Sequence, residues 1–184
     1  MGTSRIRWSS ISLTLTAVLF VVGCASTGTI HEAEVVKKYD SIEGLTYWTH
    51  TPILVRNTGI GKNAAVSMNA IGVCKGQHTD VPCDSAGWAL AFQVQGGGLT
   101  DNTNLTLRLG ERRIRPESEN YNADTGGLYN YKEKIVYQLD RKDIRDLATL
   151  PKGEVEGRLA GTRLNLSYER RKGVRLLHQK FSAE

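Results

Sequence analysis

Large apolar residues alternate with small or polar ones in the middle of this 184-residue chain. In one run, Leu105, Leu107 and Leu109 alternate with Thr106 and Arg108. In another, Trp88, Leu90, Phe92 and Val94 alternate with Ala89, Ala91 and Gln93. A period of two puts one set of side chains on each face of an extended strand, with one face for the core and one for a milder environment. That pattern belongs to antiparallel sheets, whereas buried parallel strands read as continuous apolar runs.

Further strand character follows. Leu45 to Val55 is rich in Thr, Tyr, Trp and Ile, with Pro52 marking a bend or bulge. Ala64 to Val73 and Glu133 to Leu139 are strand-like, and Leu105 to Ile114 reads as one half-buried strand. Glu32 to Tyr39 fits a short helix or a first strand. Arg115 to Asn130 is polar and reads as a loop. Asp140 can cap a helix from Arg141 to about Thr149, with Ile144, Leu147 and Ala148 as its apolar stripe. Val155 to Ala160 and Arg163 to Ser167 flank Gly161-Thr162, where a leading Gly suits a type II′ hairpin. Tyr168 to Phe181 can form a closing helix, with Ser167 as N-cap and Val174, Leu177 and Phe181 on one side. Gly173 weakens that helix by about 1 kcal/mol against Ala.

Hydrophobic content of 40% and charged content of 23% suit an ordinary folded domain. The expected fold is mainly β: an antiparallel β-sandwich with one or two short helices near the C-terminus. The alternative is α+β, an antiparallel sheet with helices on one face.

The first residues are of another kind. Arg5 and Arg7 precede an apolar run, Ile11 to Val22, that is short for a membrane span of about 20 residues but suits a signal sequence. It ends in Val21-Val22-Gly23-Cys24, which resembles the lipobox of bacterial lipoproteins. The resemblance covers those four positions and the leader, and Val21 stands where Leu is usual. It implies export, cleavage before Cys24 and acylation of the Cys24 thiol. More than one acyl chain is needed for a lasting hold, because a single chain anchors marginally. By the same resemblance, Ala25 in place of Asp favours the outer membrane, periplasmic face, over the inner membrane. The expected organisation is a signal peptide over 1–23, a lipidated N-terminus and tether over 24–31, and one mainly-β domain over 32–184. The mature part looks like small periplasmic lipoproteins of uncharacterised families, from which no activity carries over.

Removal of Cys24 leaves Cys74 and Cys83, an even pair for which an oxidising compartment implies a disulfide. A metal site at Cys74, His78 and Cys83 would need three or four converging ligands. Asp84-Ser85-Ala86-Gly87 loosely resembles the nucleophile loop of chymotrypsin-like serine proteases. Cys83 and Ala86, however, stand where that family has glycines, and His31, His50, His78 and His178 are scattered without its histidine signature. Tyr121, Tyr129 and Tyr131 share a Gly- and Asn-containing stretch suited to adaptable recognition or to a plain loop. Trp48-Thr49-His50 and Trp88 read as core.

Formal net charge is +5, and Arg5 and Arg7 belong to the leader, so the mature part carries about +3 (5 − 2). That field is too weak for a nucleic-acid footprint. The cations cluster late: eight Lys/Arg against four acids from Pro151 to Glu184. Arg170, Arg171, Lys172 and Arg175 are the expected contacts to an anionic lipid or envelope partner. A second group is Arg108, Arg112, Arg113 and Arg115. No cofactor is implied. The chain reads as a membrane-anchored, non-enzymatic binding or scaffold module of the cell envelope. The alternatives are a carrier of lipid or another small ligand, which needs an apolar cavity, and an envelope hydrolase with dispersed catalytic residues.

Overall fold

A computed structural model describes residues 33–56, 65–77, 83, 87–95, 103–124 and 132–182. Strands β1 (Val35–Asp40), β2 (Leu45–His50), β3 (Ile53–Arg56), β4 (Ala65–Lys75), β5 (Gly87–Gln95), β8 (Ser118–Asp124) and β9 (Lys132–Leu139) form a seven-stranded antiparallel sheet. Its order is β1-β2-β4-β5-β9-β8, with β3 also paired to β4. Strands β6 (Leu105–Leu109), β7 (Arg112–Ile114), β10 (Val155–Leu159) and β11 (Thr162–Leu164) form a second antiparallel sheet, ordered β11-β10-β6-β7. Helix α1 (Arg141–Thr149) follows β9, and a short 3-10 turn (Glu169–Arg171) leads into α2 (Lys172–Ser182). The fold is therefore mainly β, with two sheets and two short C-terminal helices among the described residues.

The alternation in the sequence sorts the side chains as expected. Met68, Ala70, Trp88, Leu90, Phe92, Val94, Ile135 and Tyr137 of the large sheet meet Leu105, Leu107, Leu109, Leu159 and Leu164 of the small one. Ile144, Leu147, Val174, Leu177 and Phe181 of the helices join the same core. The small sheet is closely packed against this interior. A Cβ added at Gly157 would lie 2.6 Å from Leu166 Cδ1 and 3.2 Å from Leu107 Cδ2. The opposite face of the large sheet holds a separate buried cluster drawn only from β2, β4, β5 and β9: Leu45, Tyr47, Ile71, Val73, Ala89, Ala91 and Val136.

Three readings of local structure need correction. Leu105 to Ile114 is a hairpin and not one strand; it turns at Gly110, whose φ of +62° suits the first central position of a type II′ turn. The C-terminal hairpin turns one residue earlier than expected, because Leu159 pairs with Thr162. Ala160 and Gly161 both take positive φ, the pattern of type I′ rather than II′. The third is β8, which lies in the stretch read as loop. Its sequence SENYNAD has no period of two, but it is the rim strand of the sheet and is held by backbone pairing to β9. Val35–Asp40 is a strand, which settles the helix-or-strand alternative there.

Pro52 breaks the chain between β2 and β3, which pair with successive parts of β4. The break deprives Ala70 of backbone partners on that side, and two side chains replace them. Thr49 Oγ1 donates to the Ala70 carbonyl (3.0 Å), and the Ala70 N–H donates to His50 Nε2 (2.9 Å). His50 Nδ1–H in turn donates to the Thr51 carbonyl (2.7 Å), which fixes the neutral tautomer.

The ring so held explains Gly173. A Cβ at that position would lie 2.3 Å from His50 Nδ1 and 2.4 Å from Cγ. Helix α2 can approach the sheet only because the side chain is missing. The substitution Gly173→Ala improves helix propensity by about 1 kcal/mol, but overpacking a fixed ring costs about 1–3 kcal/mol. We expect the balance to be a net destabilisation, read as a lower urea midpoint. A variant more stable than the parent would show that the ring yields.

Candidate functional site

The C-terminal third brings its functional candidates together around one buried cation. The Arg171 side chain is fully buried. Its Nε donates to the Leu166 carbonyl (2.9 Å) and its Nη2 to Leu150 (2.9 Å) and Pro151 (3.5 Å), while Nη1 donates to Leu147. The carbonyls of Leu147, Leu150 and Pro151 lie at and just beyond the end of α1. Such terminal carbonyls lack intrahelical donors and carry the negative end of the helix dipole. Arg171 thus works as a C-terminal cap reached from another element. Burial pulls its pKa down, and the nearby Arg175 adds to the effect.

Arg171 is accordingly not a contact for an outside partner, which corrects the expectation for that residue. The other three stay at the surface in part: Arg170, Lys172 and Arg175 are half-buried. Arg175 stacks on the Tyr168 ring, 3.6 Å from its centroid, and donates to the Tyr168 carbonyl.

The second basic group divides by role. Arg108 pairs with Glu156 (3.0 Å) and, mainly through that hydrogen bond, holds its carboxyl below the usual range. Arg112 reaches across to α1, bonding Asp143 (2.9 Å) and Asp146 (2.5 Å), and both bonds raise its own pKa. Arg113 and Arg115 are exposed. Arg112 is therefore not a free surface cation: α1 places Asp143 and Asp146 three residues apart, on one helical face that meets it.

Cys74 and Cys83 form a disulfide with Cα atoms 6.0 Å apart. It binds the segment after β4 back to that strand and uses both thiols, so the metal reading loses two of its three ligands. Cys24, His31, His78, Asp84, Ser85, Ala86, Tyr129 and Tyr131 lie outside the described residues. Among the described residues no group of three or more His, Cys, Asp or Glu converges as metal ligands. No described helix is long and apolar enough to cross a membrane. Trp48 and Trp88 are core residues against Phe181, at centroid distances of 6.3 and 4.7 Å. Comparison with protein-family models, curated proteins and solved structures finds no match.

Two outcomes follow from this geometry. Arg171→Ala removes the donor from four carbonyls and should cost at least about 3 kcal/mol by urea unfolding. Arg170→Ala should stay within about 0.5 kcal/mol, and equal effects would contradict the capping role. His50 supplies the second. Burial pushes its pKa down to about 4 from 6.5, against an opposing pull from the Thr51 carbonyl. Between those values the unfolded chain binds a proton that the folded chain refuses. Stability is therefore complete above pH 6.5 and falls as pH drops toward 4, by about 3 kcal/mol from this residue. Nuclear magnetic resonance of the ring protons should show no His50 titration near pH 6.5, and a midpoint there would refute the account.

Proposed function

We propose that this chain is an envelope lipoprotein, cleaved before Cys24, acylated on that cysteine and held at the periplasmic face of the outer membrane. Its β-domain serves there as a non-enzymatic binding or scaffold module. The observation that carries the reading is the closeness of anchor and fold. The first strand begins at Val35, eleven positions after Cys24 (35 − 24), so the domain sits close to whatever membrane holds the cysteine.

Among the described residues, four polar side chains have structural duties. His50 replaces a missing strand partner, Asp143 and Asp146 hold Arg112, and Arg171 caps α1. A disulfide between β4 and the segment before β5 suits an oxidising compartment.

Intact mass of the protein extracted from bacterial membranes tests the proposal, measured before and after reduction and thiol alkylation. The expected mass is that of residues 24–184 plus acyl chains, less two hydrogens for the disulfide, with Cys24→Ser abolishing both cleavage and acylation. An unacylated chain with an alkylatable Cys24 would overturn it.

A further inference from the structure

The helices carry a group of cations outside the core; among them, Lys180 Nζ lies 4.7 Å from the centroid of the Trp48 ring on β2 while its residue stays exposed. On α1, Asp143 and Asp146 turn to Arg112 of β7. Arg141 and Lys142 remain exposed and enter no ion pair among the described residues. On α2, Lys172, Arg175 and Lys180 likewise enter none, and Lys180 is exposed. The two helices pack together. His178 of α2 feels the charges of α1: burial first, then Arg141 and Arg145, push its pKa down.

The route to the anchor meets this surface. Val35, where β1 begins, pairs with His50. The His50 ring packs against Gly173, the residue after Lys172. The strand leading back to Cys24 therefore starts beside the start of α2. Residues 25–34 separate the cysteine from that strand and can reach at most about 35 Å when fully extended. Tyr168, 42% exposed and stacked under Arg175, adds a surface aromatic at the same end, a residue type favoured at headgroup depth.

We propose that the helical layer is the membrane-facing side of the domain, with Arg141, Lys142, Lys172, Arg175 and Lys180 lying on the anionic headgroups of a lipid leaflet. The orientation rests on the anchor at Cys24; the affinity of the face for lipid does not. A cation gains from an anionic leaflet only within about a Debye length, 8–10 Å, so grouping on one face is what makes the charges effective. Each then strengthens binding by about fivefold.

Residues 24–184 with Cys24→Ser keep every described residue and carry no acyl chain. Their sedimentation with phosphatidylcholine vesicles, with and without phosphatidylglycerol, isolates the face. Binding is expected only with phosphatidylglycerol, and it should weaken as salt rises. Lys172→Gln with Lys180→Gln should reduce it roughly 25-fold at low salt. Arg158→Gln with Arg163→Gln, an equal charge loss on the exposed side of the small sheet, should reduce it less than about threefold, because only cations near the lipid act at full strength. Equal losses in the two variants, or equal binding to both vesicles, would overturn the proposal. Retention on immobilised polyglutamate without vesicle binding would overturn it in favour of an acidic protein partner. An unacylated Cys24 in the membrane-extracted protein would sink the anchor reading and leave the vesicle result standing, so the two failures are distinguishable.

Discussion

The Arg171 guanidinium ties together three pieces of chain that also meet in the apolar core. It meets the end of α1 at Leu147, Leu150 and Pro151, the segment after β11 at Leu166, and its own position at the start of α2. A buried charge is costly unless hydrogen-bonded. Carbonyls at a helix C-terminus offset that cost, because they need donors and carry the negative dipole end. Each side of the contact therefore requires the other. Removing Arg171 would leave the orphan carbonyls buried, and moving α1 would leave the charge uncompensated. The positions of both helices on the core follow from this mutual need, together with Gly173 against His50.

The same geometry sorts charge. A mature net charge of about +3 describes a weak average field, but the acids and cations are not mixed evenly. Arg112 draws Asp143 and Asp146 toward the small sheet, and Arg108 draws Glu156. Arg171 is taken inside. What remains exposed or half-buried on the helices is Arg141, Lys142, Arg145, Lys172, Arg175 and Lys180, the last resting over the Trp48 ring, with Asp140 and Glu169 as exposed acids beside them. A surface can thus be basic where the whole molecule is nearly balanced.

Much of the fold was legible because period-two runs and caps are local signals. Helix α1 begins and ends at Arg141 and Thr149, as its cap, stripe and Pro151 indicate. Asp140 holds the N-cap position through its carbonyl, which accepts from Asp143 and Ile144 N–H, rather than through its side chain. Strand β8 was not legible, since a rim strand needs only one neighbour's backbone and no alternation. Arg171 was misplaced for a different reason. Basic neighbours at 170 and 172 suggest a surface run, yet Arg171 lies three residues before Val174 on the stripe that continues to Leu177 and Phe181. Spacing already placed it inward, and residue type argued against it. His50 sits two residues before the strand break at Pro52, but the partner it serves, Ala70, lies twenty residues along the chain, so no local reading could supply its role.

The most direct test of this account is paramagnetic broadening of backbone amide signals by a gadolinium-bearing lipid, with the acylated protein on nanodiscs containing phosphatidylglycerol. The account predicts strong broadening along α1, α2 and the first residues of β1, with β10 and β11 spared. Broadening centred on β10 and β11, with the helices unaffected, would contradict it.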